Sequence, residues 1–449
     1  MNSLLAEFAK LMWGPWLLVL LLGTGIWLSI RLSGIQIRNI IYAFRLTFSK
    51  EREGEGDISH FGSLMTALAA TVGMGNIAGV STAVALGGPG AIFWMWVTGV
   101  VGMATKYSEG YLAVKYRHIN EYGEISGGPM YYIEYGLGQK WLGVCFAIFG
   151  ALAAFGIGNM IQSNTTAHAL SETLGTSKLL IGTILALLTG MVIIGGIKRI
   201  ADVASYFVPL MVTIYFIGAI IVILNNLPHL GSGIALIFEH AFNGTSATGG
   251  FIGATLTQTI RFGVARGLFS NESGMGSAPI AAAAAKTNHP GKQALVSMTG
   301  TFLDTLVICS LTALALSSSG VWVSGETGVA LTIKAFSSGL PGNWGNIIVS
   351  LSAITFGFSS ILAWEYYGEK CFEYLFKEKW VHLYRYLWVI IVFMGALFEL
   401  EAVWNFSDAM NALMAVPNLI GLLLLSGILS RETRSFEEGI NEGTINKYN

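Results

Sequence analysis

Two short glycine-rich segments carry the groups of this sequence that are best suited to bind a ligand. The first is Gly-Met-Gly at 73–75 followed by Asn76, and the second is Gly-Met-Gly at 274–276 after Asn271 and Glu272. Glycine costs a helix interior about 1 kcal/mol relative to alanine, and asparagine and serine compete for backbone hydrogen bonds. Each segment therefore predicts an interrupted helix, whose exposed N–H groups can hold an anion and whose freed carbonyl oxygens can hold a cation.

Both interruptions fall inside apolar stretches that are long enough to span a membrane. We predict them near residues 71–76 and 267–274. Unwound backbone persists in a bilayer only where protein or a water-filled cavity satisfies it, and interruptions at corresponding positions of two halves are typical of a transporter's binding site. Helix packing is the alternative, since Gly75 and Gly79 form a GxxxG pattern. We favour binding because two such clusters occur in register, each with an asparagine beside it.

The composition indicates a membrane protein. Hydrophobic residues make up 53% of the 449 residues and charged residues 11%, whereas a soluble domain usually carries about 25% charge. This excludes an ordinary cytosolic enzyme, a nucleic-acid-binding protein and a disordered protein. The balance of 25 basic against 26 acidic residues leaves no basic field for nucleic acid. The three cysteines are far apart, without metal-ligand spacing, and are interpreted as inert apolar side chains.

Eleven segments are predicted to span the membrane, each with about 20 mostly apolar residues. They lie near residues 12–31, 61–86, 90–114, 141–169, 178–195, 202–225, 249–283, 293–317, 344–368, 381–399 and 408–429. Without the first segment, the other ten divide into five plus five, and the odd number gives the two halves opposite topology. We predict an extra N-terminal helix and cytoplasmic loop over 1–59, repeats over 60–230 and 231–430, and a cytoplasmic tail over 431–449.

The basic residues of the loops predict the orientation. Every second loop is rich in lysine and arginine, whereas the opposite side carries only Lys10, Lys178 and Lys334. Because basic residues collect in cytoplasmic loops, this pattern predicts an N-terminus outside and a C-terminus in the cytoplasm. The chain is therefore predicted to be a multi-pass protein of the cell membrane.

The segment Gly87-Gly-Pro-Gly-Ala-Ile-Phe-Trp-Met-Trp-Val-Thr-Gly-Val-Val-Gly102 resembles the signature of the alanine or glycine:cation symporter family, and Thr71–Gly79 resembles that family's first broken helix. The resemblance extends from about residue 60 to 430. It implies an all-α membrane protein with the five-plus-five inverted-repeat fold of the bacterial leucine transporter, with substrate between the first and sixth core helices. It also implies sodium-coupled uptake of alanine and glycine, with the lipid bilayer as surroundings and no obligatory protein partner.

A zwitterionic amino acid needs N–H donors for its carboxylate and acceptors for its ammonium group. The candidates at the interruptions are Thr71, Gly73, Met74, Gly75, Asn76, Phe269, Ser270, Asn271, Glu272, Ser273 and Gly274. Glu272 could contact the ammonium group or form a structural pair with Arg266.

Two further candidates lie outside the interruptions. Gln162, in the fourth span with Asn159, could bind substrate or form an interhelical hydrogen bond. Trp364 could wall the cavity and so select small side chains, or it could belong to the aromatic belt at the membrane surface.

The family's fold places sodium between carbonyls of the first core helix and hydroxyls of the eighth. Here these groups are the carbonyls of Ala70 and Gly73 and the hydroxyls of Thr355, Ser359 and Ser360, which share one helical face at i, i+4 and i+5. The alternative is back-bonding of these hydroxyls to their own helix. The buried charges Lys106, Glu109, Arg261, Arg266 and Asp304 indicate a gate or structural pairs, which the sequence does not assign.

The leading interpretation is a secondary active symporter rather than an enzyme. No HExxH, Ser/His or Walker A arrangement occurs in the sequence. A proton-coupled carrier and an ion channel are the alternatives, because a channel uses similar glycine-rich backbone.

Overall fold

Helices make up nearly all of the chain that the computed structural model describes, which is residues 2–49, 54–398 and 401–445. Parts of the predicted loop over 1–59 and of the predicted tail over 431–449 lie outside these ranges. The first half contains α1 (Asn2–Met12), α2 (Pro15–Arg31), α3 (Ile35–Arg38), α4 (Ile40–Thr47), α5 (His60–Thr71), a π-helical turn (Gly75–Gly79) leading into α6 (Val80–Gly87), α7 (Ala91–Lys115), α8 (Pro129–Tyr131), a π-turn (Tyr132–Gly136), α9 (Lys140–Ala153), a π-segment (Ala154–Met160), α10 (Ile161–Leu174), α11 (Lys178–Ile193) and α12 (Gly196–Asn225). Strands β1 (His118–Ile119) and β2 (Ile125–Ser126) pair antiparallel.

The second half has the same character. It contains α13 (Leu227–Asn243), α14 (Leu256–Asn271), α15 (Ala278–Ala283), α16 (Pro290–Thr301), a π-segment (Phe302–Cys309), α17 (Ser310–Ser319), a 3₁₀ turn (Val321–Ser324), α18 (Gly328–Gly339), α19 (Trp344–Phe376), a 3₁₀ turn (Glu378–Trp380), α20 (Val381–Leu397) and α21 (Glu401–Glu442). α7 packs against α14 and α16, and α19 packs against α5, α10 and α12.

Membrane-length helices dominate the fold. Among the described residues, seven helices are long and apolar enough to cross a membrane, and an eighth is added when α5 and Gly75–Gly87, bent by 52°, count as one broken span. Every one of the eleven predicted spans overlaps a helix. Three of the predicted spans are not among the helices that are long and apolar enough to cross a membrane. They correspond to α7, to the 16-residue α11, and to α14 with α15. The count of eleven remains a prediction.

The first interruption lies where the sequence predicts it. α5 ends at Thr71, Val72 is extended with ψ 94°, and the chain resumes as a helix at Gly75. The N–H groups of residues 73–76 therefore do not bond to the carbonyls four residues earlier, as they would in an unbroken helix.

The second interruption begins later than predicted. α14 continues to Asn271, Glu272 adopts a left-handed conformation with φ 54°, and Gly274 and Gly276 have φ of 89° and 84° before α15 begins. Gly267 lies inside α14, and the absence of a side chain there serves close packing: a Cβ would lie 2.2 Å from the hydroxyl oxygen of Thr98 on α7. The prediction of a break over 267–274 is thus wrong at its start. Phe269, Ser270 and Asn271 belong to the last turn of α14.

Candidate functional site

A buried carboxylate joins the two interruptions. The Asn76 amide donates to Asp304 Oδ1 at 2.7 Å, and the Ser270 hydroxyl donates to Asp304 Oδ2 at 2.9 Å. Asp304 is fully buried in the π-segment that follows α16. Burial without hydrogen bonds would cost this carboxylate several kcal/mol, so these donors hold it in place. Asp304 therefore couples the positions of the two broken helices.

Asn76 holds the first interruption rather than offering its side chain to a ligand. Its Oδ1 accepts from the Gly73 N–H at 2.9 Å, its own N–H donates to the Gly73 carbonyl at 3.1 Å, and its amide nitrogen is bound by Asp304. The prediction that Gly73 and Asn76 supply free N–H groups is wrong for this reason. The N–H groups of Met74 and Gly75 make no hydrogen bond within the described residues. They form the open N-terminus of the second half-helix, Gly75–Gly87.

The two glycines of the GxxxG pattern differ in their surroundings. A Cβ at Gly75 would lie 2.9 Å from the Ser270 Cα, so the two broken helices approach each other at this point. A Cβ at Gly79 would meet only the Met74 carbonyl oxygen, at 3.9 Å, in its own helix. Helix packing therefore accounts for Gly75 alone, and the pattern is not a continuous packing motif.

Side chains also brace the second interruption. The Asn271 amide donates to the Thr305 hydroxyl at 3.1 Å, while its oxygen accepts from the Ser273 N–H at 2.9 Å. The Asn418 amide on α21 donates to the Gly274 carbonyl at 2.8 Å and to Glu109 at 2.7 Å. These contacts fix the unusual backbone of residues 272–276, which glycine alone would leave mobile.

Glu272 is buried at the start of the second interruption, and its partners differ from one predicted alternative. Its carboxylate accepts from the Ser277 hydroxyl at 2.5 Å and interacts with the side chain of Trp364. Arg266 does not pair with it and lies instead over the Phe269 ring, with its guanidinium carbon 5.7 Å from the ring centre. The pairing of Glu272 with Arg266 is therefore wrong. Glu272 and Trp364 stand together beside the interruption.

Trp364 is a core residue and does not belong to an aromatic belt. Its exposed fraction is 3%. A Cβ at Gly158 would lie 2.1 Å from the Trp364 Cβ, so α19 crosses the π-segment before α10 at a glycine. The indole is therefore held between this segment and Glu272, where it can limit the space beside the interruption.

Gln162 retains an unused acceptor. Its amide nitrogen donates to the Ile157 carbonyl of its own helix at 3.1 Å, and its buried side-chain oxygen has no partner within the described residues. The amide nitrogen of Asn159 donates across to the Trp388 carbonyl at 3.0 Å, which is an interhelical hydrogen bond, while its buried side-chain oxygen also has no partner within the described residues. Both polar residues therefore keep one buried acceptor unused, and only Asn159 is tied to another helix.

A cage of uncharged oxygens forms where α19 meets the end of α5. The Ser359 hydroxyl lies 3.1 Å from the Ala69 carbonyl and 2.9 Å from the Phe356 carbonyl of its own helix. The Ser360 hydroxyl lies 3.3 Å and 3.4 Å from the carbonyls of Ala69 and Ala70. An unbroken helix would engage these carbonyls with the N–H groups of Gly73 and Met74. At the interruption the Gly73 N–H donates to the Asn76 side chain instead, and the Met74 N–H makes no hydrogen bond within the described residues. The carbonyls of Ala69 and Ala70 therefore lack their helical N–H partners.

The structure corrects the predicted set of cation ligands at two positions. Thr355 is wrong as a member of this cage, because its hydroxyl donates to the carbonyls of Leu351 and Ser352 in its own helix, at 2.9 Å and 3.1 Å. The Ala69 carbonyl was missed, although it follows from counting four residues back from the predicted break at Gly73. Gly73 itself stays next to the cage, since a Cβ there would lie 3.2 Å from the Ser360 hydroxyl oxygen.

A small cavity of about 20 Å³ lies next to the interruptions, between α5, α15 and α16. Thr71 and Asn271 line it from the two broken helices, and the buried Lys106 amine, which has no hydrogen-bond partner within the described residues, lines it from α7. This volume is enough for about one water molecule. Glu109, three residues further along α7, is bound to the Gly276 N–H at 3.1 Å.

The loop before α5, residues 54–58, pairs with the loop after α15, residues 284–287. The N–H of Asp57 donates to the Ala284 carbonyl at 2.8 Å, and the N–H of Lys286 donates to the Ile58 carbonyl at 2.6 Å. The Arg117 guanidinium spans the contact, donating to the carbonyls of Ala283, Ala285 and Glu55 at 3.1, 2.9 and 2.8 Å. The two half-helices are thereby held together at this end.

Membrane-length helices, broken twice around a buried polar centre, define a multi-pass membrane protein with its binding groups inside the bundle. The whole chain, residues 1–449, matches the model of the sodium:alanine symporter family, and the protein belongs to that family. It is 51% identical to the sodium/alanine symporter AgcS of Methanococcus maripaludis over 97% of each chain, and 39% identical to the probable sodium/glutamine symporter GlnT of Bacillus subtilis over 93% of this chain and 87% of the relative.

A solved structure, MhsT in complex with L-phenylalanine, has a similar fold. Its TM-score is 0.59 at 14% sequence identity, and the match covers 83% of this chain and 90% of the other. The all-helical fold is thus related to that of the bacterial leucine transporter, as the family resemblance implies.

Proposed function

We propose that the protein is a sodium-coupled symporter that imports the small neutral amino acids alanine and glycine by alternating access. The observation that carries the proposal is the cage formed by Ser359, Ser360 and the two carbonyls freed at Ala69 and Ala70. Hard cations prefer oxygen ligands, and this cage offers them without a fixed charge. The names of the relatives as sodium/alanine and sodium/glutamine symporters support the same ion.

The substrate zwitterion would lie between the two interruptions. The open N–H groups of Met74 and Gly75 suit its carboxylate, because a helix N-terminus combines free donors with a positive dipole. The Glu272 carboxylate and the spare oxygen of Gln162 suit its ammonium group. Thr71, Ser270, Asn271, Ser273 and Gly274 would act mainly by holding the backbone around it.

Substrate size would be limited by two aromatic residues. Trp364 is held against Glu272, and Phe269 occupies the last turn of α14. A side chain larger than a methyl group would have to displace one of these rings. This arrangement accounts for a preference for glycine and alanine.

Alternating access would use the paired loops around 54–58 and 284–287. They close one route to the interruptions, and on the predicted orientation, with the N-terminus outside, this is the cytoplasmic route. Opening them would separate α5 from α15 and enlarge the small cavity next to Lys106. The two predicted five-helix repeats would then exchange the side to which the site is open.

Uptake of radiolabelled alanine into proteoliposomes tests the proposal. We expect saturable uptake that requires an inward sodium gradient, and Ser360→Ala should need more sodium for half-maximal uptake. Thr355→Val is the matched control, because it removes a hydroxyl of the same helix that bonds only to its own backbone. Full uptake driven by a proton gradient without sodium would indicate a proton-coupled carrier, and unitary currents would indicate a channel. Either result would reject the proposal.

A further inference from the structure

A buried pair of acidic side chains lies in α19, beyond the serine hydroxyls of the cation cage. Glu365 and Glu369 are four residues apart, so they share one face of the helix. Glu365 is fully buried and Glu369 is 2% exposed. Neither side-chain oxygen of Glu365 receives a hydrogen bond from an N–H or O–H group of the described residues. An ionised carboxylate in such surroundings is strongly unfavourable.

The positive charge next to the pair is already engaged by Glu369. The Arg385 guanidinium of α20 donates from Nε to Glu369 Oε2 at 2.5 Å and from Nη2 to Glu369 Oε1 at 3.0 Å. This two-point contact holds Glu369 as a carboxylate. The amine of Lys370 bonds to Glu373 at 2.7 Å. Within the described part of the chain, Glu365 therefore has no ion-pair partner of its own.

The carboxyl groups of Glu365 and Glu369 lie within hydrogen-bonding reach of each other. Two ionised carboxylates can only accept hydrogen bonds, so they would repel each other in this arrangement. The contact becomes favourable when one of the two carries a proton and donates it to the other. Because Arg385 holds Glu369 ionised, the proton belongs on Glu365.

A buried hydroxyl of the neighbouring helix lies against the same turn of α19. The Tyr384 hydroxyl oxygen leaves no room for a Cβ at Gly368, which stands between the two acids and the end of the helix. Tyr384 is fully buried, and its hydroxyl has no hydrogen-bond partner within the described residues. Its O–H can turn toward Glu365, so a donor is at hand for the state in which the proton has left.

The charged groups around the pair come from two helices. Those that act on Glu365 are Glu369 and Lys370 of α19 and Arg385 of α20. α9 and the π-segment before α10 also pack on α19, and they carry no charged residue between positions 141 and 160. His60 of α5 is buried and bonds to Gln293. The other charged or basic side chains described on helices packed against α19 are exposed or half-exposed: His168, Lys178, Lys198, Arg199, Asp202, Lys334 and His382.

Arg385 connects the pair with the surface. Its side chain is 12% exposed, and its Nη1 donates to the Ile194 carbonyl at the end of α11, at 3.3 Å and in an exposed position. Water that reaches this guanidinium is next to the Glu369 carboxylate. A proton can therefore enter from the side on which α11 and α12 are joined, which is the cytoplasmic side on the predicted orientation.

We propose that Glu365 and Glu369 form a proton-binding site, in which Glu365 carries the proton and donates it to the carboxylate that Arg385 holds. On binding, the proton passes from a hydronium ion to a Glu365 oxygen and water is released. The bound proton leaves one carboxylate opposite one guanidinium, so the buried cluster is neutral. The site is separate from the cation cage and from the interruptions.

Infrared spectroscopy of the full-length protein, in a detergent without ester groups and at neutral pH, tests the inference. The C=O band of a neutral carboxylic acid is separate from the bands of a carboxylate and of an amide. We expect Glu365→Gln to lose the band of one carboxylic acid per chain relative to the wild type. Glu369→Gln should lose it as well, because Arg385 then pairs with Glu365 alone and holds it ionised.

Glu373→Gln is the matched control and should keep the full band. Glu373 is buried in the same helix but bonds to Lys370, which retains Glu124 at 3.6 Å when Glu373 is changed. Equal bands in the wild type and Glu365→Gln would overturn the site, and so would a band that persists in Glu369→Gln. A wild-type protein without any neutral carboxylic acid would overturn it before any variant is made. The measurement needs neither alanine nor sodium, so its failure would leave the proposed function intact.

Discussion

Arg117 provides a test of how the paired loops are held together. Its guanidinium donates three hydrogen bonds to backbone carbonyls, two at Ala283 and Ala285 at the end of α15 and one at Glu55 in the loop before α5. Arg117→Met keeps much of the apolar side chain and removes all three donors. We expect the pairing between the loops to open more often in this variant.

The size of the effect follows from the exposure of these bonds. A hydrogen bond from a charged donor contributes about 1.5–3 kcal/mol when buried, but Arg117 is half-buried and its bond to Glu55 is exposed. We therefore expect about 2 kcal/mol for the three together rather than their full sum. At 1.4 kcal/mol for each factor of ten, this corresponds to a roughly 30-fold larger open population.

Hydrogen–deuterium exchange measures this opening directly. The N–H groups of Asp57 and Lys286 donate across the loop contact, so their exchange should accelerate by about 30-fold in Arg117→Met. Lys115→Met is the control: this lysine is the last residue of α7, two positions before Arg117, but its amine bonds to Glu432 at 2.6 Å and does not reach the loops. Unchanged exchange at Asp57 and Lys286, or equal acceleration in the control, would refute the role given to Arg117.

Three further changes test the site. Trp364→Ala should admit serine and larger amino acids, measured by competition with labelled alanine; unchanged selectivity with normal alanine binding would mean that the indole is not the wall. Gly75→Val should abolish alanine binding at the interruptions while the protein still inserts into the membrane, because the new side chain meets the backbone of α14 at 2.9 Å. Gly79→Ala is the control and should bind alanine normally, since a Cβ at Gly79 has free space. Near-normal binding by Gly75→Val would mean that Gly75 serves helix packing alone. Asp304→Ala should lower the free energy of unfolding by about 2–3 kcal/mol, since it leaves buried donors unpaired, and should weaken alanine binding; a thermal unfolding curve and a binding isotherm matching the wild type would show that the two interruptions are not held by this carboxylate.

Features that depend on neighbouring residues in the chain could be predicted from the sequence. The two Gly-Met-Gly segments interrupt helices because glycine destabilises a helix wherever it occurs, and the positive φ of Gly274 and Gly276 meets that expectation. Ser359 and Ser360 share the predicted face because helical periodicity alone determines it. Family membership followed from a string of residues around Gly87–Gly102, which needs no knowledge of distances.

The tertiary structure decided where these local preferences are realised. Gly267 has the same intrinsic preference as Gly274, yet it lies inside α14, at a point where α7 leaves no room for a side chain. Thr355 shares a helical face with Ser359 but bonds only to its own helix. The Ser359 hydroxyl bonds to its own helix and also reaches the Ala69 carbonyl, because the end of α5 lies beside Ser359 and not beside Thr355.

The buried charges depended most on the fold. Asp304 is recognisable in the sequence as a carboxylate inside an apolar span. Its neighbour Thr305 supplies one donor, but the donors from Asn76 and Ser270 come from distant parts of the chain. The sequence offered Arg266 as one of two alternative partners for Glu272, whereas in the fold the Arg266 charge interacts with that of Asp408 on α21. Local backbone preferences are written into short stretches of sequence, while the partner of a buried charge is whichever group the packed helices bring within reach.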